Sequence, residues 1–433
     1  MPTRIEKLLL GLLLAILAGI VVHAPFSVFF GSMVPQFELV IKAWKEILLS
    51  VSLIVAAAVV TRRRLWKMLL NDWLIRLSAV YALLHIVIAF VLPTSADQMI
   101  AGLMVDLRYV AYFVLVYVLL KIVPAWRSLF IKTAIFGAAI VIGFGVLQLF
   151  LPPDILRHIG YDKNTTIAPY LTVDQNEDYV RINSTLRGPN PLGAYAVIVL
   201  AGLAAAVARG KLLVASKKQW LKVAAAIAAT AAVLWVSYSR SALGAAVLAL
   251  GLIGVLSLPR AWLKKYGAFV LIAVLIACGG LALARSTDFV SHVILHEDPN
   301  EGNDVNSNDG HIESLIDGSE RLVRQPLGAG VGSTGSASLL GNEPLIIENQ
   351  YLFVAHEAGW LGLGLFIALF GLILHGLWRR RSDWLALTVL ASGVGLAAIG
   401  LLQPVWADDT IGIMWWGLAA IALAGSRTKR RKL

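Results

Sequence analysis

Apolar positions along this chain run in long stretches, each close to the roughly 20 residues a helix needs to cross a bilayer, with polar positions confined mainly to the intervals between them. About twelve spans are predicted by that length rule, at approximately 8–30, 46–61, 73–93, 99–122, 130–151, 189–208, 221–238, 241–257, 266–284, 348–377, 384–403 and 410–425. No block of domain size separates them, so a soluble enzyme on a single anchor is excluded and residues 1–433 read as one transmembrane domain. The first stretch lacks a small-residue cleavage site and leads into further spans, so it is expected to stay as a helix.

Two polar intervals are too long for turns, 152–188 and 286–347, and loops of that length usually carry function or lack structure. Within the second, His296 to Gly310 is acidic, rich in Asn and Gly, and too polar to fold alone. From His311 to Arg324, Ile312, Leu315, Ile316, Leu322 and Val323 recur at helical spacing, and Asp317 with Arg321 and Glu320 with Arg324 stand four apart, acid first. That pattern predicts a short amphipathic helix at the outer membrane surface between spans nine and ten. Pro326 ends it and the Gly-rich run Gly328 to Gly335 follows. The fold class is an all-α polytopic membrane protein.

Composition agrees: 58% of the 433 residues are hydrophobic, mean hydropathy is +0.77, and 15% are charged, against about 25% in soluble proteins. A net charge of +11 would suggest nucleic acid in a soluble protein, but its location decides otherwise. With a cytoplasmic N-terminus, basic clusters at Arg4 and Lys7, Arg62 to Lys67, Lys121 to Lys132, Arg209 to Lys222, Arg260 to Lys265, Arg379 to Arg381 and the tail from Arg427 all fall inside, alongside only Glu6, Asp72 and Asp383 among the acids. This satisfies the positive-inside rule with both termini cytoplasmic, so the excess charge is topology and no nucleic-acid partner is expected. The single Cys278 lies in an apolar run, which excludes a disulfide framework and a Cys metal site.

Charges near the outer ends of the spans are the informative ones, because placing them in lipid costs several kcal/mol unless they serve a polar cavity (about 2.5–3.5 kcal/mol on insertion scales). Five groups qualify. Asp106 and Arg108 either neutralise each other or hold neighbouring helices. Arg181 and Arg187 surround STLRGPNPLG, where Pro189-Asn190-Pro191 sets Arg187 at the mouth of a helix, a place that favours anions. Arg240 lies in a tight outer turn among Ser237, Ser239 and Ser241. Arg321 and Arg324 precede the glycines, and Glu348, His356 and Glu357 fall in ENQYLFVAHEAGWLGLG. The glycines have no Lys-Ser/Thr after them and no strand before them, so a P-loop or dinucleotide fold fails, and a tight connection with backbone N–H groups facing a cavity is expected. The histidines lack metal-ligand spacing and the outer loops lack an Asp-x-Asp pair, so no metal and no cofactor are expected. Arginine suits phosphate because its planar fork binds two oxygens at once. Several arginines gathered beside lipid point to a lipid-linked diphosphate.

The order RINSTLRGPNPLGAY, SYSRSALGA, RQPLGAGVGSTG and ENQYLFVAHEAGWLGLG resembles the O-antigen ligase and O-antigen polymerase superfamily of bacterial membrane glycosyltransferases, over about residues 180 to 370. The resemblance implies a twelve-span protein of the cytoplasmic membrane whose outward-facing site moves a glycan from undecaprenyl diphosphate to a glycan, lipid or protein acceptor without metal. It implies that Arg187 (or Arg181) and Arg240 bind the diphosphate. Arg321, Arg324 and Asn349 are further candidates. Where the ligases open their tenth helix with a His-Asn pair that supplies the base, this chain reads Glu348-Asn349, a departure that leans away from lipopolysaccharide ligase and toward a polymerase-like member.

Glu348 is the expected base, sharing a helix face with Leu352, Ala355, Gly359 and Gly362; the alternative is that it merely caps that helix, leaving the base to His311. Glu357 is expected to be a structural partner. The rival function is a transporter or flippase for a lipid-linked glycan or organic anion, which would show internal repeats and broken or charged helices near the midplane.

Overall fold

The computed structural model describes residues 2–173, 176–212, 216–262 and 307–425, with scattered positions from 265 to 291; of 307–312 it gives the backbone. Among the described residues, nine helices are long and apolar enough to cross a membrane: Arg4–Met33, Trp44–Arg62, Trp73–Val91, Ala96–Ile122, Pro124–Gln148, Pro189–Ala208, Lys217–Val236, Arg240–Ser257 and Gln350–Trp378. Two shorter apolar helices, Trp384–Ile399 and Asp409–Ala424, complete the set. Each predicted stretch therefore coincides with a helix, except 266–284, most of which lies outside the described residues, as do 296–306 and the basic tail after Gly425.

The helix starts are written locally. Thr3 with Glu6, and Ser95 with Gln98, form reciprocal capping boxes, while Asp72, Asn349, Asp383 and Asp408 each accept backbone N–H groups at the first turn of the next helix. Helix faces are sorted as lipid requires. On Trp73–Val91, Ser78, Tyr81 and His85 turn inward while Leu83 (60% exposed) and Phe90 (74%) turn outward, an apolar surface that only a bilayer would cover. Asp409–Ala424 is buried along its whole length and packs on Ala96–Ile122, so it forms the axis of the bundle. Around it Trp406, Trp415, Trp416, Phe370 and Tyr109 meet in tilted and edge-on pairs.

The long segments between spans depart from expectation in three ways. Within 152–188, Leu171–Val173 pairs antiparallel with Asn176–Arg181, Leu171 opposite Arg181, so a small hairpin joins the otherwise helical fold. The amphipathic helix is longer, Ser307–Arg324, starting four residues before His311. It is also clamped to protein: Gly318 lies against Leu352 and Ile347, and Trp360 Nε1 donates to the Leu322 carbonyl at 2.7 Å, while Ile316 and Val323 stay exposed. The two predicted acid-first pairs form, Arg321 with Asp317 at 2.8 Å and Arg324 with Glu320 at 3.1 Å.

Third, the Gly-rich run is a tight connection whose N–H groups meet a buried carboxylate in place of an open cavity, Thr334 N–H donating to Glu357 Oε1 at 3.4 Å. Gly328, Gly330, Gly332 and Gly335 all have positive φ, and a Cβ on Gly332 would stand 2.1 Å from the Gln98 carbonyl oxygen. This close approach wedges the run between Leu92–Gln98 and the Gln350–Trp378 helix. That helix breaks at Gly359 (φ 65°, ψ −169°), and the run satisfies the groups the break frees: Trp360 N–H donates to the Pro326 carbonyl at 2.9 Å, and Ala329 N–H to the His356 carbonyl at 2.6 Å.

Candidate functional site

The loop before Pro189–Ala208 is drawn into the bundle by short polar side chains. Ser184, at φ 51°, donates its hydroxyl to the Val141 carbonyl at 2.6 Å and its N–H to Gln148 Oε1 at 2.6 Å, and Thr185 donates to the Val21 carbonyl at 2.5 Å. With Ser184 and Thr185 fixed, Arg187 has little choice of position. It stands two residues before a helix that opens with Pro189 at its first position and Gly188 as its cap, so the helix's first N–H groups face the same opening.

Arg181 reaches the same mouth from the hairpin: its Nη2 donates to Asn190 Oδ1 at 2.6 Å and its Nε to the Ser237 carbonyl at 2.9 Å. Arg240 begins its own helix after Ser239, and the serine turn that carries it sits on Gly193, where a Cβ would lie 2.7 Å from the Ala242 Cβ and 3.0 Å from the Ser239 Cβ. Gly193 thus allows the two helix mouths to meet. The structure brings Arg181, Arg187 and the Arg240 turn together around the start of one helix.

A cleft of about 200 Å³ opens there, lined by Arg187, Asn190, Pro191, Gln403, Pro404 and Asp408 among others. Arg187 Nε lies 3.2 Å from Asp408 Oδ2; the arginine is 58% exposed and the aspartate 8%. Burial raises the Asp408 carboxyl above the usual aspartate range, against the pull of the Arg187 guanidinium. Asp408 was missed from sequence, as was the buried network behind it. Lys45 Nζ lies 3.1 Å from Asp409 Oδ2 and 3.3 Å from Glu46 Oε2; His23 Nε2 lies 3.2 Å from Asp409; and Trp44 Nε1 donates to His23 Nδ1 at 3.0 Å. Two cations, Lys45 and Arg108, balance two carboxylates, Glu46 and Asp409, which is what allows such charges below the surface.

For Arg108 the second alternative holds, a link between neighbouring helices. It pairs with Glu46 at 3.4 Å and donates to the Ala407 carbonyl, one residue before Asp408, so it braces the floor of the cleft. Asp106 looks elsewhere, toward His85 at 3.9 Å and toward Glu357. Residues two apart on a helix point to nearly opposite sides, so the two could not neutralise each other.

Glu348 is half-buried and lies before the helix, whose cap is Asn349; the expected sharing of a helix face with Leu352 and Gly359 does not occur, nor does Glu348 cap. Its N–H donates to Ser314 Oγ at 3.2 Å. Asn349 accepts from Tyr351 and Leu352 N–H and donates to the Leu401 carbonyl at 2.8 Å, so its amide is engaged structurally. Gln350 accepts from Trp406 N–H and donates its own N–H to the Gly400 carbonyl, both at 2.8 Å. Residues 349 and 350 therefore hold the 400–406 connection that walls the arginine cleft, and Glu348 directly precedes them.

Arg321 and Arg324 do not line that cleft: Arg321 borders a separate cavity with His356, and Arg324 is 77% exposed beside Glu320. His311 lies on the amphipathic helix, and its side chain is outside the described residues.

The fold and this cleft describe a polytopic helical membrane protein with an opening lined by Arg187 and Asp408 where several helices end. Residues 224–367 match a family model described as O-antigen ligase, a match that supports the resemblance to the O-antigen ligase and polymerase superfamily. The matched segment contains Arg240, Arg321, Glu348 and Glu357, and excludes Arg181, Arg187 and Asp408. A search of curated proteins returns no match to the chain.

Proposed function

We propose that the protein is an inverting, metal-independent glycosyltransferase of the cytoplasmic membrane that transfers a glycan from an undecaprenyl-diphosphate-linked donor to a glycan, lipid or protein acceptor on the outer face. The observation that carries this reading is the convergence of Arg181, Arg187 and the Arg240 turn on the mouth of Pro189–Ala208, in a chain with an O-antigen ligase domain. The Arg187 guanidinium and the first N–H groups of that helix at one opening, with Arg181 bonded to Asn190 on its rim, suit stabilisation of a diphosphate as it leaves. In this reading the acceptor hydroxyl attacks the anomeric carbon from the side opposite the diphosphate, and Glu348 takes its proton. Arg187 changes partner, from Asp408 to the diphosphate, as the donor binds.

The test is direct: purified protein in detergent, given an undecaprenyl-diphosphate glycan and an acceptor with chelator and no nucleotide, should form the transferred product. Donor that is bound but never transferred under any acceptor would refute it. The break at Gly359 beside the buried Asp106 and Glu357 favours a second reading, a flippase, since transporters use interrupted helices with buried acids. In proteoliposomes that reading requires movement of the lipid-linked glycan between leaflets without product.

A further inference from the structure

A second cavity, of about 660 Å³, opens between the amphipathic helix and the segment that leads to Glu348. Gln98, Arg321, Gln325, Asn342, Glu343 and His356 are among the residues that line it. Two polar atoms in this lining are buried with no hydrogen-bond partner among the described residues, Nδ1 of His356 (5% exposed) and Oε1 of Gln325. Buried polar atoms are nearly always paired, so two orphans in one polar cavity point to a ligand that supplies hydrogen bonds.

The lining also indicates the ligand's charge. Arg321 and Glu343 are the oppositely charged residues of the lining, and Arg321 is held by Asp317 at 2.8 Å, so the cavity offers no surplus of positive charge to a phosphate. Amides, hydroxyls and an imidazole in a charge-balanced cavity suit an uncharged chain of hydroxyl groups. Leu345 borders the cavity, and three residues span at most about 11 Å, so Glu348 is within that reach of it. On its other side Glu348 adjoins the pair that walls the arginine cleft.

We propose that this cavity holds the end of the acceptor glycan, bound through its hydroxyl groups, while the arginine cleft holds the donor diphosphate. The inference rests on the glycosyltransferase reading for the acceptor role, but binding of a glycan is measurable without it.

The experiment uses the full chain in detergent and two probes: a fluorescent soluble oligosaccharide released by mild acid from the surface glycan of the host cell, and undecaprenyl diphosphate without sugar. Gln325→Leu with Asn342→Leu, both on the outer segment, should weaken oligosaccharide binding by about tenfold or more, the loss expected for two hydrogen bonds, and leave undecaprenyl diphosphate binding unchanged. Arg187→Ala should do the reverse. Because the double variant keeps diphosphate binding, a folding defect is separated from a lost site. Wild-type protein that does not bind the oligosaccharide, or a double variant that binds it as well as wild type, overturns the proposal. Oligosaccharide binding that obeys these variants in a protein that never transfers glycan would sustain the cavity and sink the transferase reading.

Discussion

Arg187 and Arg240 differ from the other charged residues in what they can be exchanged for. If both act on a diphosphate, Arg240→Lys keeps the charge but loses the two-pronged geometry, and most transfer activity should vanish while membrane insertion stays normal. Full activity in both Arg187→Ala and Arg240→Ala would remove the diphosphate argument. Glu348→Gln should still bind donor yet transfer at least about a hundredfold more slowly, the usual worth of a general base, as read by single-turnover product formation. Near-normal transfer would pass the role to another group facing the cleft, Asp408 first.

Away from the site, Asp72 offers a pH test. Burial opposes its charge, but the ammonium of Lys121 and the Tyr117 hydroxyl hold its carboxyl below the usual aspartate range. A lowered folded-state pKa stabilises above the ordinary aspartate value, and that contribution disappears as pH falls through the lowered one. Asp72→Asn, which keeps the helix cap, should therefore flatten thermal stability against pH in the acid range; an unchanged profile would show the pair to be inert.

Arg181, Arg187 and Arg240 could be singled out in sequence because a charge at the end of an apolar run stands out. Lys45, Glu46, Asp408 and Asp409 were not, since adjacent acid and base residues flanking a span look like ordinary interfacial charge until the fold brings four segments together.

Helices and loops were legible to different degrees. Hydropathy located the spans because lipid imposes their length, and the amphipathic helix followed from its spacing. Nothing in the pattern of Gly328 to Gly335 revealed that it fills a break in another helix, because that depends on the backbone of residues about thirty positions away. Substitution separates the two kinds of glycine. Gly332→Ala places a Cβ against the Gln98 carbonyl at a positive φ and should destabilise by about 2 kcal/mol or more, seen as a lower melting temperature in detergent. Gly364→Ala, on the same broken helix with open space around it, should be neutral or stabilising by up to about 1 kcal/mol. Equal effects would mean that the glycine run yields easily.

For the molecule as a whole, the sorting of basic residues predicts that a reporter fused after Arg381 or at Leu433 reads as cytoplasmic and one placed within 300–309 reads as external. An external C-terminus would invert every site assignment. The class of protein was readable from hydropathy alone; the division of its loop regions into a cleft beside Arg187 and a polar cavity was not, because both are built from loops whose paths are fixed by buried serines, threonines and glycines.

The two 16-residue helices have a further consequence. At 1.5 Å per residue each is about 24 Å long, short of the roughly 30 Å hydrocarbon layer. Both are largely buried among their neighbours, so lipid does not penalise the shortfall, and the 400–408 connection between them gives Gln403, Pro404, Val405 and Asp408 to the cleft beside Arg187. A change of length in that connection should therefore alter the cleft and leave membrane insertion intact.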